Sequence, residues 1–196
     1  NYLGVADIPK RSLTDVDDPL GESKPETTFG AMDTAISVAY AMQNAVPGVL
    51  EDLDLGANLR FIYQTLDAES ALSLMLDIGG YYPVNEKFSL ALNIQNIGTG
   101  VKFKDEADPL PLNLKAGAAY KPLEKLTIAC DINEYIIDQL LYVSLGAEYW
   151  IKDIVALRAG YKYGYDTGTL GSNVGIAGGI GFKFSSLGLD YSFAPF

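Results

Sequence analysis

The chain has 196 residues, 48% hydrophobic and 20% charged, with a formal net charge of −11. This is too apolar for a disordered chain, and its acidic balance gives no general attraction to nucleic acid or anionic lipid. With no histidine and one cysteine, Cys130, it excludes Ser-His-Asp and Cys-His catalysis, His-ligated zinc, an internal disulfide and a Cys-cluster metal site.

No run of about 18 apolar residues occurs, so no transmembrane helix is expected. The chain instead carries a period of two, the signature of strands with two unlike faces. A broken segment over residues 2–7 comes first, then a long acidic polar loop over 8–30 with Asp15, Asp17, Asp18, Glu22 and Glu26. A weaker strand follows over 34–42. From there the pattern is regular. Leu53, Leu55, Ala57, Leu59, Phe61 and Tyr63 alternate with Asp54, Gly56, Asn58, Arg60 and Gln64, Ile62 being the exception. Leu72, Leu74, Leu76 and Ile78 alternate with Ser73, Met75, Asp77 and Gly79, and Phe88, Leu90, Leu92 and Ile94 with Ser89, Ala91, Asn93 and Gln95. Leu110, Leu112, Leu114, Ala116 and Tyr120 alternate with Asn113, Lys115, Gly117 and Ala119. Leu126, Ile128, Cys130 and Ile132 alternate with Thr127, Ala129, Asp131 and Asn133. Val143, Leu145, Ala147 and Tyr149 alternate with Ser144, Gly146, Glu148 and Trp150. Val155, Leu157, Ala159, Tyr161 and Tyr163 alternate with Ala156, Arg158, Gly160, Lys162 and Gly164. Val174, Ile176, Ile180, Phe182 and Phe184 alternate with Gly175, Ala177, Gly181 and Lys183, and Leu187, Leu189, Tyr191 and Phe193 with Gly188, Asp190 and Ser192.

A soluble antiparallel sandwich also alternates. Three features favour a transmembrane barrel. The strands are about ten to twelve residues long, about twice the soluble average. Their polar face is crowded with Gly, Ala, Ser and Asn and carries both signs of charge. The connections alternate between short turns (83–87, 121–125, 151–154, 185–186) and longer loops (8–30, 99–109, 134–140, 166–172), as in outer-membrane barrels. Aromatic residues gather near both ends of the strands. Tyr81, Tyr82, Phe88, Tyr120, Tyr149, Trp150 and Phe184 lie beside the short turns, and Phe61, Tyr63, Tyr161, Tyr163 and Tyr165 toward the long loops, matching two interfacial belts.

With the apolar set toward lipid, the lumen-facing charges are Asp54, Arg60, Asp77, Lys115, Asp131, Glu148, Arg158, Lys162, Lys183 and Asp190. Their signs nearly cancel, which suits cross-strand ion pairs bracing the wall better than a one-signed selectivity ring. Asp105, Glu106 and Asp108 lack the ligand spacing of an EF-hand loop, and the glycines at 178, 179 and 181 lack the Lys-Ser of a phosphate cradle. No enzyme, cofactor or metal site is expected, and Cys130 reads as a small hydrophobe on the lipid face.

One stretch is distinctive: Asp108-Pro109-Leu110-Pro111-Leu112-Asn113-Leu114-Lys115-Ala116-Gly117, continuing to Ala119-Tyr120-Lys121-Pro122. It resembles the PorV/PorQ family of outer-membrane proteins, related to the FadL-like long-chain fatty acid transporters. Gln95-Asn96-Ile97-Gly98, Leu145-Gly146-Ala147-Glu148-Tyr149-Trp150 with Ala156-Leu157-Arg158-Ala159-Gly160-Tyr161-Lys162, and the closing Gly179–Phe184 and Leu189–Phe196 stretches follow that family in order over about residues 35–196. The resemblance implies an all-β, antiparallel transmembrane β-barrel of about fourteen strands, of which ten to eleven are visible as one domain over 1–196. It implies location in the bacterial outer membrane, contact with its lipid, and either transport of hydrophobic compounds or accessory work in type IX secretion with its machinery or cargo. The family's first strands and final strand have no counterpart here, and the expectation is that strands of the same polypeptide complete the wall. The alternative is a barrel with a blocked lumen that docks a protein partner through its acidic loops; a soluble lipid-binding barrel is a third reading.

Overall fold

The computed structural model describes residues 2–10, 27–104, 107–165 and 173–194. The protein is all-β. Eleven strands form one antiparallel sheet: β1 (Tyr2–Lys10), β2 (Thr27–Met42), β3 (Asp54–Leu66), β4 (Glu69–Pro83), β5 (Phe88–Gly98), β8 (Asn113–Leu123), β9 (Leu126–Tyr135), β10 (Leu140–Ile151), β11 (Val155–Tyr163), β12 (Ile176–Phe184) and β13 (Leu187–Phe193). A separate pair, β6 (Val101–Lys102) and β7 (Ala107–Asp108), interrupts the β5–β8 connection. The sheet follows chain order, and β1 and β13 stand at the two ends of that order rather than beside one another. Among the described residues the sheet is therefore not closed.

Each strand of the sheet is bonded to its sheet neighbours in chain order, the β6–β7 pair standing apart, as the preference for sequential pairing leads one to expect. Three connections are tight. Residues 67–68 join β3 to β4, 124–125 join β8 to β9, and 185–186 join β12 to β13. Lys152 and Asp153 turn β10 into β11 with φ of 51° and 57°, the left-handed conformations that match hairpin twist.

Several boundaries differ from those the pattern suggests. β1 extends to Lys10 and pairs with β2 through Ile8 opposite Phe29, so strand replaces loop at both ends of the 8–30 stretch. Its alternation is broken because the register shifts between Val5 and Ile8, where Asp7 has φ of 58°. The acidic residues from Asp15 to Glu26, and Asp105, Glu106 and 166–172, lie outside the described residues. The supposed long loop at 134–140 is a four-residue turn, 136–139, because β9 continues to Tyr135. Conversely, residues 43–53 form an eleven-residue connection on the side of the short turns.

The chain packs as two compact units. The first comprises Asn1–Ala39, Asn58–Leu76 and Ile97–Leu110. In it, Ala71, Met75 and Leu110 are buried, Ser73 Oγ donates to the Thr99 carbonyl (2.6 Å), and Lys10 pairs with Asp67. The second comprises Tyr40–Ala57, Asp77–Asn96 and Pro111–Phe196 and contains the continuous ladder from β5 to β13.

Candidate functional site

Residues opposite one another across a ladder share a face, so the register sorts the second unit's side chains without ambiguity. One row reads Leu90, Ala118, Cys130, Leu145, Tyr161, Ile176 across six strands; another reads Tyr149, Leu157, Ile180, Tyr191 across the last four. That face is apolar, and its side chains are open: Leu92 is 55% exposed, Leu145 56% and Leu189 70%.

The other face is its opposite in chemistry. Its central row is Ser89, Ala119, Ala129, Gly146, Gly160, Ala177, with no side chain longer than serine across six strands. Charged groups flank this floor on both sides along the strands. Seven of the expected charges lie on this face: Lys115, Arg158, Lys162 and Lys183, with Asp131, Glu148 and Asp190.

On the short-turn side of the floor, Glu148 faces Arg158 directly across the β10–β11 ladder. Arg158 Nε donates to Glu148 Oε2 at 2.7 Å, and its Nη1 pairs with Asp190 Oδ1 on β13. The planar guanidinium suits this because its donors diverge in a fixed fork. Trp150, two residues along the same face of β10, donates its indole N–H to Glu148 Oε1 at 2.7 Å. Asp190 lies opposite Gly181, and a Cβ there would sit 2.5 Å from Asp190 Oδ1 and 3.0 Å from Arg158 Nη1. Glycine at 181 is what lets the β11–β13 bridge pass over β12. A recess of about 400 Å³ adjoins this cluster, lined by Thr127, Gly146, Glu148, Arg158, Gly160 and Ser192 among others.

On the far side, Lys162 Nζ lies 4.2 Å from the Tyr142 ring centre and 5.1 Å from that of Tyr165, and Tyr135 packs edge-on against Tyr142. Among the described residues the ammonium meets ring faces rather than a carboxylate. Lys115 stands opposite Asn93 on one side and Asn133 on the other. Asp131 makes no ion pair among the described residues. Its carboxylate occupies the space that a side chain at Gly117 would fill.

The other three expected charges, Asp54, Arg60 and Asp77, lie on β3 and β4. Asp77 is buried and accepts the Asn96 backbone N–H at 2.8 Å, where Asn96 has φ of 62° and its own amide donates to the Pro111 carbonyl. It fixes an irregularity near the end of β5. Asp54 accepts the Asn44 N–H at 3.2 Å, at the start of β3. Arg60 is half-buried on β3 and belongs to the first unit. Lys183, one of the seven on the charged face, is exposed near the β12–β13 turn.

Trp150, counted above with the lipid-side belt, points instead to the charged face, as its even position beside Glu148 on β10 requires. The tyrosine cluster around Lys162 carries no alternation signal of its own, because Tyr142 and Tyr165 lie far apart in sequence and meet only through the β10–β11 pairing. No known family model matches the chain, and no curated protein matches it.

Proposed function

We propose that this chain is a bacterial outer-membrane β-barrel protein of the PorV/PorQ, FadL-like type, with its apolar face in lipid and its charged face toward a lumen. It acts in transport of hydrophobic compounds or as an accessory of type IX secretion, and is not an enzyme. The observation that carries this reading is the pair of unlike faces from β5 to β13, the apolar one built of open, large side chains. Burying such a side chain contributes about 1.5–3 kcal/mol, so leaving the whole face in water forfeits more than the usual net stability of about 5–15 kcal/mol. A soluble sandwich would cover that face with a second layer. Among the described residues the buried apolar ones are only Ala71, Met75, Leu110, Ala156 and Val174. A hydrocarbon surround supplies the missing cover.

The paired charges fit the same reading. Glu148, Arg158 and Asp190 neutralise one another in part and brace three strands, leaving a floor of small residues on which a solute meets little steric barrier. Planar-bilayer recording of the full chain tests the transport function. Steady unitary conductance supports it. Stable insertion without conductance would overturn it in favour of a blocked wall that docks a partner.

A further inference from the structure

Two like charges are opposed at the short-turn end of the charged face. Phe88 lies opposite Tyr120, and one residue further the Lys121 N–H donates to the Lys87 carbonyl at 2.8 Å, so the two lysines stand directly opposite each other on the charged-face side of β5 and β8. Directly opposed residues hold their Cβ atoms about 4.5–5.5 Å apart, and like charges in that relation are destabilising. Both lysines are exposed, and neither makes an ion pair among the described residues. Glu86 and Glu124, the carboxylates nearest to them in sequence, pair with neither. By contrast Lys125, at the same end of β9, has Asp153 at 3.9 Å.

The backbone fixes this juxtaposition. Asn85 Oδ1 accepts the N–H groups of both Lys87 and Phe88 at 2.9 Å, so the turn delivers Lys87 into register with Lys121. A register shift in the β8–β9 ladder follows between Tyr120 and Leu123. Neither lysine can relieve the repulsion by moving its backbone.

We propose that Lys87 and Lys121 form a clamp for a phosphate-class oxyanion at the short-turn end of the charged face. A tetrahedral oxyanion offers separate oxygens to the two ammonium groups, and charge-assisted bonds of this kind are short and strong. Bound between them, it converts a repulsive pair into two attractive ones. The inference stands on the ladder and its charges alone, so its failure would leave the membrane reading untouched.

The test is thermal unfolding of the full chain in non-ionic detergent, with millimolar inorganic phosphate compared against chloride at equal ionic strength. The wild type and a Lys152→Gln control should gain about 2–4 °C in phosphate over chloride, the shift that binding at a few times Kd gives a chain of this size. Lys87→Gln and Lys121→Gln should lose that gain, and each should melt above the wild type in chloride because the repulsion is gone. Equilibrium dialysis of labelled phosphate against the wild type gives a reading that does not depend on how the variants fold. An equal response to phosphate and chloride, no retained phosphate in dialysis, or a gain that persists in both lysine variants would each overturn the proposal.

Discussion

Arg158 is the residue on which the charged face turns. It is the cation shared by Glu148 and Asp190, and it joins β11 to the strand before it in sequence and to β13, two places further on in the sheet. Glu148 in turn receives the indole of Trp150, so both its oxygens are occupied. Glu148→Gln keeps an acceptor for Trp150 but strips Arg158 of its best-aligned charge. The expected cost is about 1–3 kcal/mol in denaturant unfolding, the range for removing one partner of a hydrogen bond and leaving the other poorly satisfied. Glu86→Gln, in the exposed β4–β5 turn, should stay within about 0.5 kcal/mol of wild type. An equal or larger loss at Glu86 would show that the Arg158 bridge does not brace the sheet. Alternation alone places Glu148 and Arg158 on the same face. Their direct opposition depends on the Lys152–Asp153 turn, whose two left-handed residues carry no glycine to announce them. Asp190 reaches Arg158 only because residue 181 is glycine, a link that no local pattern contains.

The two faces belong to the scale of the strand. β5 presents Leu92 on one side, opposite Ala116, and Asn93 on the other, opposite Lys115. In a lipid-facing wall, Leu92→Arg should cost about 2–4 kcal/mol near the bilayer midplane, and Asn93→Arg much less. Unfolding of the two variants from lipid bilayers measures the difference, and equal costs would mean that the faces meet similar surroundings. Most strands were legible from their period of two because each has one apolar and one polar or small face throughout. Where that contrast weakens, the boundaries move. β1 reads as shorter than it is because its register shift at Val5–Ile8 reverses the alternation, and β2 begins at Thr27 in a stretch where Thr, Gly and Ala give neither face a character. β9 runs to Tyr135 through Glu134, a polar residue directly after Asn133 that reads as the start of a loop but continues the ladder with β10. The Lys87–Lys121 opposition was likewise hidden, since it needs the register across β5 and β8 and both residues sit where a turn is expected.

At the scale of the molecule, an eleven-stranded antiparallel sheet has one apolar and one charged face from β5 to β13, and β1 and β13 end its strand order. Unpaired backbone groups cost several kcal/mol each in hydrocarbon, so the membrane reading also requires partners for both of those edges. The chain carries a native reporter of its own environment. Cys130 lies on the apolar face, opposite Leu145 and Ala118, while its neighbour Ala129 lies on the floor of small residues, opposite Gly146 and Ala119. A spin label on Cys130 can therefore be compared with one moved a single residue, in the Ala129→Cys, Cys130→Ala variant. In reconstituted bilayers, the account predicts that the label at 130 is relaxed strongly by oxygen dissolved in lipid and weakly by a water-soluble nickel chelate, with the order reversed at 129. Equal access of the chelate to both positions, or the opposite order, would contradict it.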